Sequence, residues 1–344
     1  MRMNILLATA SLSLALGGIE VWLRFNPQLT EFQTNNEYQF RTRTGEKKFG
    51  VPYHSWQERF PEGLDERGYF AQADYTVGYY FNQFGARWRA AADQPLEGRV
   101  FLLLGDSFTY GSAVRYEDTW AQGLEDRLRG AGDDITLVNF GRSGADSKDC
   151  LEIYRSVSSH LPHDTVLYAL NPNDLISFRT SYVIHNSAMG LPWVEKSALA
   201  SFVFERINTQ IGRRYKIARL TSASVFDKPR FIENMAAISE LDAEVRAAGK
   251  TFVVALLPVL IDLQRESFRP VYDGIAARLA ERGIEMLDAT VAVRGLRDSD
   301  LWVLPVDQHP NEIASALFAE HLGTLIRARS AEENDTLQDR FRPE

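Results

Sequence analysis

From Arg99 onward the chain alternates short, uninterrupted apolar runs with longer amphipathic stretches, and this rhythm leaves few architectures open. Val100–Leu104 is apolar throughout, as in a strand buried on both faces. Trp120, Leu124 and Leu128 follow at helical spacing. Ile135–Phe140 reads as the next strand, and Cys150, Ile153, Tyr154 and Val157 line the next helix. Thr165–Leu170 and Thr251–Leu257 are further strands, and Ile284–Leu287 is a short fifth one. Between them, Phe231, Met235, Ile238 and Val245 define a helix that Gly249 ends, and another helix is expected over Pro270–Glu281. The last helix starts after Asn311, a good N-cap, and carries Ile313, Leu317, Phe318, Leu322, Leu325 and Ile326. Strands separated by helices predict an α/β domain with a doubly wound five-stranded parallel sheet covered on both faces. In such sheets functional groups collect just beyond the carboxyl ends of the strands.

Around this domain, placed at 99–329, the 344 residues divide unevenly. Arg2 precedes an uncharged run from Asn4 to Ile19, and residues 1–24 are expected to be a membrane anchor. The competing reading is a signal peptide cleaved near Ala15-Leu-Gly17. Either reading places the domain outside the cytoplasm, membrane-anchored in the first case and secreted in the second. Residues 25–98, with Tyr38, Phe40, Tyr53, Trp56, Phe60, Tyr69 and Phe70, are too aromatic for a solvated linker. They are expected to pack on the main domain as short strands and loops, with Tyr75–Phe81 a strand. An insertion at 176–229 interrupts the short crossovers, and its segment Ala198–Leu220 is amphipathic. That segment suits a surface helix better than a substrate-selecting cap or a lipid-contacting helix. Residues 330–344 read as a polar, disordered tail.

A net charge of −8 argues against a nucleic-acid partner, which needs a concentrated basic face. Cys150 is the only cysteine, so no internal disulfide and no cysteine-based metal cluster can form. No spacing of His and acidic residues suggests a metal site, and neither a dinucleotide fingerprint nor a Gly-x-Ser-x-Gly elbow is present. No cofactor is expected.

The unusual residues fall where the sheet rule puts them. The first strand runs into Gly105-Asp106-Ser107, the second into Asn139-Phe-Gly141-Arg-Ser-Gly144, and the third into Asn171-Pro-Asn173-Asp174. The loop before the last helix holds Asp307-Gln-His309-Pro-Asn311. These are the parts of acyl transfer. A serine hydroxyl is a weak nucleophile until a base removes its proton, which His309 can do while Asp307 holds the imidazole. The backbone N–H groups of Ser107 and Gly144 and the amide of Asn173 are candidate donors to the oxyanion. Read blandly, Asp106-Ser107 caps a helix and Asn173-Asp174 makes a turn.

Taken together, the four blocks resemble those of the SGNH (GDSL-type) hydrolases over roughly residues 99 to 327. The resemblance implies a flavodoxin-like SGNH fold, Ser107 as nucleophile, Gly144 and Asn173 completing the oxyanion hole, and His309 as base. Tyr80–Arg87 and the N-terminal segment resemble, more loosely, membrane-tethered bacterial members. Two positions depart from the pattern. Asn171 stands where glycine is usual, and with His185 it is a candidate substrate contact. Asp307 and His309 are separated by one residue instead of two, so Asp298, Asp300 or a backbone carbonyl are alternative orienting groups. The expected activity is a serine esterase acting on O-acyl esters, O-acetyl included, of carbohydrates or small molecules. The alternatives are an O-acyltransferase for an envelope polysaccharide and an inactive membrane-tethered binding or assembly protein.

Overall fold

A computed structural model of the chain describes residues 2–25, 42–60, 75–176, 196–203, 217–218, 220–304 and 307–340. It falls into two compact units. The smaller comprises Met1–Thr42, Arg59–Tyr75 and Phe178–Arg219, and the larger Arg43–Glu58, Thr76–Ser177 and Leu220–Glu344.

In the smaller unit, α1 (Arg2–Arg24) carries Glu20 at the start of a helical segment of the insertion. The Glu20 carboxylate accepts the N–H groups of Ala198 (3.1 Å) and Leu199 (2.8 Å) and the hydroxyl of Ser197 (2.8 Å). It thus caps that segment from outside. These bonds, led by that from Leu199, hold its carboxyl down at about 2. Among the described residues no helix is long and apolar enough to cross a membrane. Asn4, Thr9, Ser11, Ser13, Gly17 and Gly18 dilute the apolar content of α1, so the anchor expected there rests on the sequence pattern alone.

The sheet lies mostly in the larger unit. Its strands are β1 (Thr42–Thr44), β2 (Ser55–Phe60), β3 (Tyr75–Phe81), β4 (Arg87–Trp88), β5 (Arg99–Gly105), β6 (Ile135–Asn139), β7 (Thr165–Leu170), β8 (Thr251–Leu256) and β9 (Met286–Asp288). They lie in the order β1-β2-β3-β4-β6-β5-β7-β8-β9. The five strands from β5 to β9 pair in parallel, in the spatial order second-first-third-fourth-fifth, as the apolar runs predict. The count differs because the 25–98 extension does more than pack on the domain. Its β4 pairs antiparallel with β6 through Arg87 and Asn139, and so extends the sheet by one edge. An exposed edge offers unpaired N–H and C=O groups, which the extension satisfies.

Side-chain alternation along the strands feeds two cores. Phe101, Leu103, Leu167, Ala169, Val253 and Ala255 face one way, into a cluster with Trp120, Leu124 and Leu128 of α3 (Trp120–Gly130) and Phe318 and Leu322 of the last helix. On the other side α4 (Ser147–Val157) packs against α6 (Pro229–Ala247). Between the strands lie two short helices, α2 (Ser107–Tyr110) and α5 (Pro172–Leu175), and the longer α7 (Arg269–Ala280). The predicted loop before the last helix is instead a hairpin of β10 (Trp302–Leu304) and β11 (Asp307–Pro310). The last helix, α8 (Glu312–Arg340), is capped by Asn311 Oδ1 on the N–H groups of Ile313 and Ala314, both at 3.0 Å. It runs past Arg329, where a disordered tail was expected to begin. Ala331, Glu332 and Glu333 are good helix formers and no Gly or Pro interrupts them.

Candidate active site

The site forms because β5 ends at Gly105 and the chain must turn at once into α2. A Cβ at Gly105 would stand 2.2 Å from Thr109 Oγ1 and 2.8 Å from the Ala169 carbonyl of the neighbouring strand, so no other residue fits this corner. Asp106 caps α2, its Oδ1 accepting the Phe108 N–H at 2.8 Å. The bland reading of Asp106 therefore holds, and it leaves Ser107 at the first helical position. The Ser107 N–H there has no acceptor within the helix.

A four-residue helix cannot satisfy its own carbonyls, and neighbouring elements satisfy them here. Ser107 O accepts from the N–H groups of Gly111 (3.0 Å) and Ser112 (3.1 Å). The Trp120 indole N–H takes Phe108 O at 3.1 Å, and Asn139 Nδ2 takes Thr109 O at 2.8 Å. Asn139 also accepts the Gly141 N–H at 2.8 Å, starting the loop after β6. That loop touches the α2 backbone so closely that a Cβ at Gly141 would lie 2.3 Å from Tyr110 N. The Arg142 N–H then donates to Gly105 O at 3.0 Å, and Gly144 follows in a left-handed conformation at φ +82° with open space around it.

Facing Ser107 is β11. Residues two apart on a strand share a face, so Asp307 and His309, with one residue between them, point the same way. His309 Nε2 lies 2.8 Å from Ser107 Oγ, and His309 Nδ1 is hydrogen-bonded to Asp307 Oδ1. The same carboxylate oxygen accepts the His309 backbone N–H at 3.2 Å. Asp307 is fully buried at 1% exposure. The one-residue spacing is thus what a strand requires. The alternative orienting groups are engaged elsewhere: Asp298 accepts the N–H groups of Asp262 (2.7 Å) and Leu263 (3.0 Å), and Asp300 pairs with Arg297 at 2.7 Å.

Asn173 arrives from α5, beyond the end of β7. Its Nδ2 donates to Asp106 Oδ2 at 3.0 Å, spanning the point between β5 and β7 where the strand order reverses. One amide proton is committed to Asp106, and the second is available to a bound oxygen. Asn171, a candidate substrate contact, is turned into the protein. It is buried at 1% exposure, with Oδ1 accepting the Asn173 N–H (3.1 Å) and Nδ2 donating to Pro258 O (3.1 Å). Where glycine would be silent, this asparagine caps α5 and fixes the backbone of Asn173. His185 lies outside the described residues.

Sequence reasoning passed over the group beneath these residues. Asp174 Oδ2 accepts from the Tyr168 hydroxyl (3.1 Å) and the Asn171 N–H (3.2 Å), and Tyr168 in turn meets Ser147 Oγ at 2.9 Å. Burial, and after it the neighbouring Asp106, hold the Asp174 carboxyl well above the usual carboxylate range. Burial raises Asp106 too, against the bonds from Asn173 and Phe108. A carboxyl that keeps its proton when folded, and loses it near 3.8 when unfolded, takes up more protons in the native state. Its contribution is therefore complete below the unfolded value and declines as pH rises toward the folded one. Asp174→Asn, which stays neutral, is expected to gain stability relative to the wild type in urea melts as pH is raised above the unfolded value of 3.8. A variant whose stability relative to the wild type falls as pH rises would contradict a raised Asp174 carboxyl. Cys150 is fully buried and its thiol is pushed well up by that burial, so it is no rival nucleophile.

No protein family matches the chain, and no curated protein matches it. Several solved structures are similar to it. A lipolytic protein of the G-D-S-L family from Veillonella parvula is 14% identical over 65% of this chain and 96% of its own, with a TM-score of 0.40. A psychrotrophic esterase, EstA, from Pseudoalteromonas sp. is 16% identical over 68% and 99%, with a TM-score of 0.42. A lipase/acylhydrolase from Enterococcus faecalis is 13% identical over 67% and 96%, with a TM-score of 0.42.

Proposed function

We propose that the chain is a serine esterase acting on O-acyl esters, O-acetyl esters of carbohydrates or small molecules included, through an acyl-Ser107 intermediate. One observation carries this reading: the hydrogen-bonded line from Ser107 Oγ through His309 to the buried Asp307. His309 Nε2 takes the Ser107 proton as Oγ attacks the ester carbonyl carbon, and Asp307 stabilises the imidazolium. Collapse of the tetrahedral intermediate expels the alcohol, which receives that proton from His309. Water, deprotonated by His309, then attacks the acyl carbon and releases the acid and free Ser107.

The negative oxygen of both intermediates needs fixed donors, for which this reading uses the N–H groups of Ser107 and Gly144 and the free amide proton of Asn173. Asn173→Ala is expected to lower kcat by about 10²–10³-fold with little change in KM, because the donor acts on charge that exists only in the transition state. A change confined to KM would place Asn173 in ground-state binding instead.

The reading as a whole is tested by incubating the protein with a fluorophosphonate probe and a p-nitrophenyl ester series of increasing acyl length. Covalent labelling mapped to the peptide containing Ser107, with turnover of the short esters, is the expected result. A chain that takes no label and turns over none of the esters is not a serine esterase.

A further inference from the structure

Both terminal nitrogens of the Arg87 guanidinium are committed to the segment after the nucleophile, while its Nε is buried without a hydrogen-bond partner. The side chain is buried at 1% exposure. Nη1 donates to Tyr110 O and, at 2.6 Å, to Gly111 O, and Nη2 donates to Val114 O at 2.6 Å. The cation lies against the rings of Tyr79 (4.8 Å) and Tyr110 (5.0 Å), which stack on each other with centroids 5.1 Å apart. Tyr79 adds a further hold on the same segment, its hydroxyl accepting the Ala113 N–H at 2.8 Å.

A buried cation is costly, and among the described residues no acidic group forms an ion pair with Arg87; the buried Glu58 carboxylate instead accepts from the hydroxyl of Tyr79, the ring the cation faces, at 3.0 Å. What Arg87 secures in return is one stretch of backbone. Gly111 O is held by Arg87, and the Gly111 N–H is held by Ser107 O, so a single residue links the guanidinium's anchor to the nucleophile's own carbonyl. Gly111 is shaped to this contact. Its φ is +73°, and a Cβ there would lie 2.6 Å from Arg87 Nη1. Arg87 itself is fixed by the sheet, since its backbone pairs in β4 with Asn139, the residue that takes Thr109 O from the opposite side.

We propose that Arg87 is a positioning residue for Ser107, and that the 25–98 extension, by supplying it, is part of the catalytic apparatus. The proposal rests on the esterase reading above, and it predicts a separable effect. With Arg87 removed, residues 110–114 lose three carbonyl anchors while His309, Asp307 and Asn173 keep theirs. Ser107 then samples orientations away from His309, and kcat falls while substrate binding is spared.

The test compares wild type with Arg87→Lys, Arg87→Ala and, as a control for lost stability, Val245→Ala, a buried residue of α6. Hydrogen exchange is measured on the peptide spanning residues 107–115 and on the rest of the chain, and kcat and KM are measured on p-nitrophenyl acetate. Both Arg87 variants are expected to exchange faster in 107–115 than elsewhere. Their kcat should fall about tenfold to a hundredfold with KM within about threefold, while Val245→Ala leaves both unchanged per folded molecule. Should the alanine variant fail to fold, the lysine variant carries the test, because its single ammonium cannot span three carbonyls. Unchanged local exchange, or a kcat loss matched by Val245→Ala, would overturn the proposal. A wild type that takes no fluorophosphonate label defeats the esterase reading instead, and the exchange measurement still decides whether Arg87 holds the segment.

Discussion

Ser107→Ala and His309→Ala are each expected to lower kcat on p-nitrophenyl acetate by about 10⁵–10⁶-fold, with the double variant no worse than either single one. The reason is that the two side chains perform one act. At 2.8 Å from Oγ, His309 Nε2 is placed to receive the serine proton during attack. Without the imidazole the hydroxyl remains protonated and a poor nucleophile, and without the hydroxyl the imidazole has nothing to activate. Effects of residues acting as a unit do not multiply. If the losses multiplied in the double variant, each residue would be working independently, and the acyl-Ser107 route would have to be abandoned. The fold should tolerate both changes. Ser107 is a small side chain in α2, and His309 retains a quarter of its side-chain surface in solvent.

The sequence made some of this legible for physical reasons. Strands β5, β7 and β8 are apolar on both faces because helices cover both, so each stood out as an unbroken run, and β6 did so but for Thr136. Gly105, Gly141 and Asn173 were recognisable because they follow those strands directly. The hairpin holding Asp307 and His309 was not, since Asp-Gln-His-Pro has little strand propensity and is held by pairing with Trp302–Leu304. Had β11 been recognised, the one-residue spacing would have argued for Asp307 from the start. The roles of Asn171 and Asp174 depend on burial that polar residues do not advertise. Arg87 was hidden most completely. Composition rules place arginine at the surface, and only the aromatic residues around it, Trp56, Tyr79 and Phe81, hinted that the extension had an interior of its own.

Asp307 is where the detailed geometry changes an ordinary expectation. Asp307→Ala removes both the charge and the acceptor that fixes the ring, and is expected to lower kcat by about 10⁴-fold. An asparagine in such a position commonly costs about as much, because its amide N–H₂ turns toward Nδ1 and enforces the wrong tautomer. Here a single oxygen, Oδ1, accepts both the His309 ring Nδ1–H and the His309 backbone N–H. The backbone donor cannot be satisfied by an N–H₂ group, so it holds the amide of an asparagine with its oxygen toward the imidazole. The tautomer with the proton on Nδ1 is then retained, Nε2 stays free to accept from Ser107, and only the charge that stabilises the imidazolium is lost. Asp307→Asn is therefore expected to lose about 10²–10³-fold in kcat, clearly less than Asp307→Ala. Equal losses in the two variants would mean that the amide has turned over and that the strand backbone does not control the triad.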